Sequence, residues 1–322
     1  MNIRHDNSCS GEWPSVIYYG QIIAVSDVPS AILFRMRAYS GHVAEKAFEK
    51  LMTLVRNERG LDLSSYKENF LLRRLNSRFR ILEIDNLGEY CRFLESHHEE
   101  YSKLIDVLAI NVTEFFRDPP VFDLFEKKII PELILSQEYT HAKILRFLSA
   151  GGASGEEAYS IAIKLHEALG TKINNYSISI LLADIDPDCI EKAKDGIYVE
   201  DHLKNVPASI KSKYFKHEGN LYQVKPEIRK MVTMTRMDLL TDRIPKFFNV
   251  IFCRNLLIYF SKEGHSDIFM RLYNSLTNDG FMVLGRTETL LGTNKSLFDT
   301  YDAKERVYRK RPTAFYASRR SC

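Results

Sequence analysis

From about Gly41 to Ile110, apolar residues recur at spacings of three and four, the mark of amphipathic helices. Val43, Ala47, Phe48, Leu51, Leu54 and Val55 share one face, and Gly60 stops that run. Tyr66, Phe70, Leu71, Leu75 and Phe79 define a second helix, and two more are predicted around Leu87–Leu94 and Tyr101–Ile110. Asp118-Pro119-Pro120 then reads as a helix start with proline in the first turn. Phe122, Phe125 and Ile129 continue that helix on one buried face as far as Pro131. Beyond it the pattern changes. Ile144, Leu145, Phe147 and Leu148 form an apolar run that reads as a buried strand, ending at Gly151-Gly152-Ala153-Ser154-Gly155. Tyr159, Ile161, Ala162, Leu165 and Leu169 mark the helix that follows. Further strands are predicted at Ser177–Leu182, Met231–Thr235, Phe248–Cys253, Phe281–Leu284 and Val307–Lys310. Helices are predicted at Pro187–Lys194 and through Ile268, Phe269, Leu272 and Leu276, the latter ending at Asn278-Asp279-Gly280.

Strand, turn and helix in alternation predict an α/β fold with a doubly wound sheet. Residues 195–230 break the alternation. Turns at Asp195-Gly196 and His217–Asn220, with strand-like Leu221–Val224, suggest an inserted helix and small antiparallel sheet. The organisation expected is therefore an irregular extension over 1–40, a helical domain over 41–110, and a sheet domain over 111–310. The insert occupies about 203–230, and a tail carrying Arg319 and Arg320 closes the chain over 311–322.

Composition narrows the function classes. The 322 residues are 45% hydrophobic and 27% charged, as in a soluble globular protein, and the formal net charge is +3. So small a charge sets up no strong global field, and any attraction to an acidic partner must be local. No apolar run approaches the ~20 residues of a membrane span, and the basic, apolar, small-residue order of a signal peptide is missing from the N-terminus. Cys9, Cys91, Cys189, Cys253 and Cys322 form no C-x-x-C pair and no zinc spacing. A cytoplasmic monomer without a bound metal is the expectation. Basic side chains concentrate on one helix, at Arg73, Arg74, Arg78 and Arg80. Arg74 and Arg78 lie four apart and share a face. They make either a solvated basic surface or a docking face for an acidic partner. Without interleaved aromatic residues for base stacking, nucleic acid is not the expected partner.

Candidate chemistry lies at the strand ends. Gly151–Glu157, Asp184, Asp238 and Arg254–Tyr259 each follow a predicted strand, and in a doubly wound sheet such ends lie along one edge, where ligands bind. The glycines permit close approach of a ligand to the backbone, although their spacing is not G-x-G-x-x-G. An acidic residue ending the second strand is suited to accept from two ribose hydroxyls. Asp186, directly before Pro187, fits the helix-capping role and leaves Asp184 for ligand. Gly155 and Asp184 lie further apart than the roughly 20 residues of a dinucleotide fold, which argues against a nicotinamide cofactor. Around Phe115 and Phe116, the polar Asn111, Thr113 and Arg117 are not explained by packing.

Four segments together carry a resemblance: N-V-T-E-F-F-R-D-P, S-A-G-G-A-S-G-E-E-A-Y-S, A-D-I-D-P and F-C-R-N-L-L-I-Y-F. Over about residues 45–310 the chain resembles the CheR family of chemotaxis receptor glutamate O-methyltransferases. The resemblance implies a class I S-adenosylmethionine-dependent methyltransferase fold with an all-helical N-terminal domain and a small inserted antiparallel β-subdomain. It implies S-adenosylmethionine as cofactor and S-adenosylhomocysteine as product. Gly151 and its turn would lie beside the methionine part, Glu157 would hold the amino end, and Asp184 would bond the ribose. Asp238 and Leu239 would flank the adenine. Asn111, Thr113 and Arg117 would reach the cofactor or the reacting centre, Arg254 and Asn255 would line the site, and Tyr259 would stand close to the transferred methyl. Arg117, Arg254 and Tyr259 are the catalytic candidates. Arg73, Arg74, Arg78 and Arg80 inherit the role of a face for the acidic methylation helices of chemoreceptor cytoplasmic domains. The family's usual G-H-S-E segment is here Gly285-Arg286-Thr287-Glu288.

The residue types agree with that chemistry. A glutamate acceptor, with a reference pKa of ~4.3, is ionised at neutral pH and needs no general base. Transfer to it would rest on in-line positioning, for which effective molarities are worth ~7–11 kcal/mol. Arg117 or Arg254 is suited to orient the carboxylate through a forked hydrogen bond; the competing reading of Arg254 is a salt bridge that closes the sheet edge. Two other functions stay open on the sequence: the same fold acting on a different acidic protein or small-molecule acid, and a non-catalytic S-adenosylmethionine-binding protein.

Overall fold

The computed structural model describes residues 15–18, 21–24, 42–108, 113–140, 143–290 and 292–312. Near the N-terminus β1 (Ser15–Tyr18) pairs antiparallel with β2 (Gln21–Ala24). The sequence shows no clean period there, yet each strand carries adjacent β-branched residues that favour extended backbone.

The chain divides into two compact units, and Ser64–Arg74 groups with the C-terminal one. The helical unit contains α1 (His42–Arg59), the part of α2 (Glu68–Leu82) from Leu75 onward, α3 (Leu87–Ser96) and the start of α4 (Glu100–Leu108). Its core is Leu51, Val55, Phe79, Tyr90, Cys91 and Leu94, all fully buried. Asn86 caps α3 by accepting from the Glu89 N–H at 2.9 Å. Within this core Arg78 is buried and forks onto Glu100, Nε to Oε1 and Nη2 to Oε2 both at 2.7 Å, while Tyr90 Oη donates to the same carboxylate at 3.0 Å. This corrects the docking assignment for Arg78. A guanidinium so paired holds the helices together and is not offered to a partner.

The second unit is built on a seven-stranded sheet. Three elements lead into it: α5 (Pro119–Leu124), a wide π turn (Phe125–Ile129) and α6 (Ile130–Thr140). Pro131 was expected to end this helix and does not. Proline lacks an N–H and its ring clashes with the carbonyl four residues back. The π turn, in which the Ile130 N–H reaches the Phe125 carbonyl, widens the helix at that place.

Then come β3 (Ile144–Ala150), α7 (Glu156–Leu169), β4 (Ser177–Asp184), α8 (Pro187–Asp195) and β5 (Ile197–Val199). They are followed by α9 (Ala208–Tyr214), β6 (Phe215–Glu218), β7 (Leu221–Val224), α10 (Pro226–Arg229) and β8 (Val232–Arg236). The last elements are β9 (Phe248–Cys253), α11 (Lys262–Ser275), β10 (Leu276–Leu284), β11 (Phe298–Asp302) and β12 (Val307–Lys310). Strand order is β11-β12-β10-β9-β3-β4-β8, with β12 antiparallel to both neighbours. The order reverses between β3 and β9, the switch point at which such sheets bind ligands. Strand β9 is buried along its whole length, as expected of a parallel strand covered on both faces. One covering layer centres on Phe122, Phe125, Phe147 and Phe252, the other on Ile251, Ile268, Phe269 and Met282.

The structure revises two expected boundaries and adds a strand. The insert is the sheet β5-β7-β6, which begins at Ile197, earlier than about 203. Helix α11 ends at Ser275, so Leu276 and Asn278-Asp279-Gly280 belong to β10. Strand β11 was not foreseen. It is a half-exposed outer strand, and F-D-T-Y-D carries too few apolar residues to stand out.

Candidate active site

The glycine turn after β3 is pinned by its backbone. Gly151 and Gly152 both donate to the Ala183 carbonyl, at 2.8 and 3.3 Å, and Ala153 N–H donates to Asp184 Oδ2 at 2.8 Å. At Gly152 the absence of a side chain is required, because a Cβ would fall 2.7 Å from Ser149 Oγ and 2.8 Å from Leu182. Gly155 enters α7 at φ 103°, a conformation that favours glycine.

Asp184, at the end of β4, is buried and takes a second N–H from Asp186 at Oδ1, 3.0 Å away. Burial pushes its carboxyl above the usual range, and these backbone hydrogen bonds partly offset the shift. Asp186 caps α8 by accepting from Asp188 N–H at 2.8 Å and Cys189 N–H at 3.4 Å, as its place before Pro187 predicts.

A cavity opens where the ends of β3 and β9 meet. It is lined by Thr113, Glu114, Arg117, Phe122, Gly151, Gly152, Ala153, Glu157, Arg254, Asn255 and Tyr259. The wall between the two strand ends is ionic. Glu157 accepts from Ser149 Oγ at 2.8 Å and from Arg254 Nη1 at 3.4 Å. Burial pushes its carboxyl up, and the nearby Arg254 charge opposes that shift only in part. Arg254 Nη2 donates to Asp118 Oδ2 at 2.6 Å and to the Arg117 carbonyl at 2.8 Å, and the guanidinium lies 5.6 Å from the Phe122 ring centre. Both terminal nitrogens of this buried arginine are thus bound to the wall. Its fork is directed at Asp118 and Glu157, which is the sheet-closing role of the competing reading. The loop that meets it bends through Phe116 at φ 52° and Asp118 at φ 57°, strain that surrounding contacts must hold in place.

After β9 the chain turns at Asn255, φ 58°. Buried Glu288 stabilises the turn. Its carboxylate accepts from Gly285 N–H at 2.7 Å, Asn255 N–H at 2.8 Å and Leu257 N–H at 2.7 Å. Tyr259 follows on a single 3₁₀ turn and is half-buried. Burial pushes its hydroxyl up, against the opposing charges of Arg117, Arg74 and Arg73, so it is a protonated donor at neutral pH.

The expected residues therefore divide. Thr113, Arg117, Gly151, Glu157, Arg254, Asn255 and Tyr259 surround one cavity. Asp184 does not line it, but holds the amide of Ala153, which does. Asp238 and Leu239 lie one strand further along the edge and do not line it; Met237 N–H ties their turn to the Asp184 carbonyl at 2.8 Å. Asp238 Oδ1 accepts from Leu240 N–H at 2.8 Å, whereas Oδ2 is buried without a protein partner. Leu239 is buried and its carbonyl accepts from Arg271 Nε at 2.7 Å. Asn111 lies outside the described residues. Of the arginine group, Arg73 and Arg80 are exposed and Arg74 is half-exposed, its guanidinium 5.8 Å from the Phe70 ring centre.

The sequence did not single out Asp118, nor His202, which pairs with buried Glu156 behind the glycine turn. Glu288 was visible as the end of G-R-T-E, but nothing in that string reveals an acceptor for three backbone amides.

A cofactor with a cationic end, a sugar and an amino-bearing ring fits what is present. Glu157 offers a half-buried carboxylate, the glycine turn lines the cavity with bare backbone, and Asp238 Oδ2 is a buried acceptor without a protein partner. Comparison with known proteins agrees. Residues 111–307 match the family described as CheR methyltransferase, SAM binding domain, and residues 46–109 match CheR methyltransferase, all-alpha domain. A chemotaxis protein methyltransferase of Borreliella burgdorferi is 34% identical over 264 residues, covering 80% of this chain and 92% of the relative. One from Listeria innocua is 34% identical over 77% of this chain and 91% of its own length. The Escherichia coli protein of the same name is 32% identical, over 76% and 85% respectively.

Proposed function

From the chain's membership of the CheR methyltransferase family, we propose that this S-adenosylmethionine-dependent methyltransferase acts on glutamate carboxylates of chemoreceptor cytoplasmic domains. The observation that carries this reading is the cavity itself. It joins a half-buried carboxylate, Glu157, to a rim of hydrogen-bond donors, Arg117, Asn255 and Tyr259, and among the described residues its lining contains no histidine that would serve as a base. An anionic acceptor needs donors to orient it and no proton abstraction.

When bound, the cofactor supplies a methyl group on a cationic sulfonium. Glu157 would hold its amino end by a charge-assisted hydrogen bond. Asp184 would accept from the ribose hydroxyls, and Asp238 Oδ2 from the adenine amine beside Leu239. Arg117 would orient the acceptor carboxylate, with Arg254 keeping Glu157 and the Arg117 carbonyl in place. Tyr259 would close the site beside the transferred carbon and exclude water. Arg73, Arg74 and Arg80 would face the acidic methylation helices. Among the described residues no helix is long and apolar enough to cross a membrane, so the enzyme would reach its receptors by such docking.

Incubation with methyl-labelled S-adenosylmethionine and receptor cytoplasmic fragments should yield base-labile methyl esters on glutamate. Esters that appear only on another acidic protein or a small acid would move the acceptor and keep the fold. S-adenosylhomocysteine binding with no transfer to any acceptor would leave a cofactor-binding protein.

A further inference from the structure

The stretch Ser64–Arg74 lies in the same compact unit as the sheet, and it is fastened to the loop that carries Tyr259. Lys67 N–H donates to the Tyr259 carbonyl at 2.9 Å, and Ser261 N–H donates to the Ser65 carbonyl at 2.8 Å. Tyr66 and Phe260 form an antiparallel bridge between them, with ring centres 4.5 Å apart. Lys67 Nζ reaches over to the Ile258 carbonyl at 2.7 Å. One turn along α2, the buried Phe70 packs its ring 5.0 Å from the Tyr259 ring. The fit is close enough that a Cβ on Gly264 would fall 2.6 Å from the Ser65 carbonyl oxygen.

The loop needs such a hold. Leu257–Tyr259 is one short 3₁₀ turn without a side-chain cap, and on its cavity side Glu288 fixes only Leu257 and the residues before it. Ile258, Tyr259 and Ser261 are fixed from the α2 side. Lys67 is exposed, so its single bond to a carbonyl adds little to folding stability. It is placed beside the residue whose ring borders the cavity.

We propose that Lys67 and Phe70 are positioning residues for methyl transfer, which hold the Tyr259 ring at the edge of the cavity. The inference rests on the reading of that cavity as the transfer site. It also means that the turn of helix presenting Arg73 and Arg74 is the same turn that sets Tyr259.

The test compares wild type with Lys67→Met, Lys67→Arg, Phe70→Leu and Phe70→Tyr, using labelled S-adenosylmethionine and receptor fragments. Lys67→Met and Phe70→Leu should lower kcat about tenfold or more, because small misplacements at a reacting centre are costly. KM for the receptor and S-adenosylhomocysteine affinity should stay within about twofold. Lys67→Arg, which still donates to the Ile258 carbonyl, and Phe70→Tyr, which keeps the ring, should recover most of kcat. In a Tyr259→Phe background the Phe70→Leu loss should not add in full, since contacting residues are coupled. Amides 257–261 should exchange hydrogen faster in both damaging variants, a readout that needs no turnover. A kcat near wild type in both, or a parallel fall in kcat and product affinity, would overturn the proposal. So would unchanged exchange. If Phe70→Leu does not fold, Lys67→Met and its arginine rescue decide alone. A wild-type enzyme that methylates no receptor points to the functional reading; an active wild type with indifferent variants points to this inference.

Discussion

The ends of β3 and β9 and the ends of β4 and β8 lie along one sheet edge, yet they are built differently. Around β3 and β9, side chain meets side chain: Glu157, Arg254 and Asp118 form a charged chain across the cavity wall. Around β4 and β8, side chain meets backbone: Asp184 takes the amides of Ala153 and Asp186, and Asp238 that of Leu240. The first construction places charge beside a cavity. The second shapes turns and leaves single acceptor positions to spare. A cofactor with a charged reactive end and a polar, uncharged nucleoside end would ask for this division.

The comparison can be broken most severely at the β9 end. Glu288→Ala would strand three buried amide donors, each worth about 1–3 kcal/mol when left unpaired. Urea unfolding should show a loss of about 3 kcal/mol or more. Next comes Glu157→Gln, which keeps shape and removes charge. Its S-adenosylhomocysteine affinity should fall about tenfold to a hundredfold by calorimetry, the range of a hydrogen bond to a charged group. The pH dependence sharpens the point. Burial raises the Glu157 carboxyl above its usual range, and the ionised form is the one that holds an ammonium group. Wild-type affinity should therefore decline as pH falls through that raised value, and the Gln variant should lack this step.

Asp184→Asn tests the other construction. One amide acceptor is lost and no ion pair is broken, so affinity should fall only about tenfold, near 1.4 kcal/mol. The smallest effect is expected behind the turn. The hydrogen bond from His202 to Glu156 raises the His202 pKa. The stability it contributes is therefore complete below about pH 6.5 and is lost as pH rises through the raised value of the folded state. His202→Gln should flatten thermal stability against pH in that interval, with no change in product affinity.

Much of this edge was legible because each strand end interrupts an apolar run with polar residues that packing does not require. Asp184 and Asp186 could even be told apart, since a following proline marks the capping position. What escaped notice has no period. Glu288 acts on backbone amides, which look alike in every sequence. Arg78 shares its helical spacing with Arg74, and only its partner Glu100, on another helix, separates a buried ion pair from a surface charge. Arg254 was open to two readings, and the choice depended on Asp118, which the sequence offered only as a helix start. Strand β11 and the helix continuing beyond Pro131 were missed because an outer strand needs few apolar residues and because a π turn accommodates proline.

Glu288 has a consequence beyond its share of stability. One carboxylate that gathers amides from both sides of the β9 turn removes the conformational freedom the turn would otherwise lose on meeting a ligand. The backbone that presents Asn255 reaches the cavity in finished form. Affinity for whatever enters then draws on order that folding has already installed, and the entropic penalty of binding shrinks by that amount.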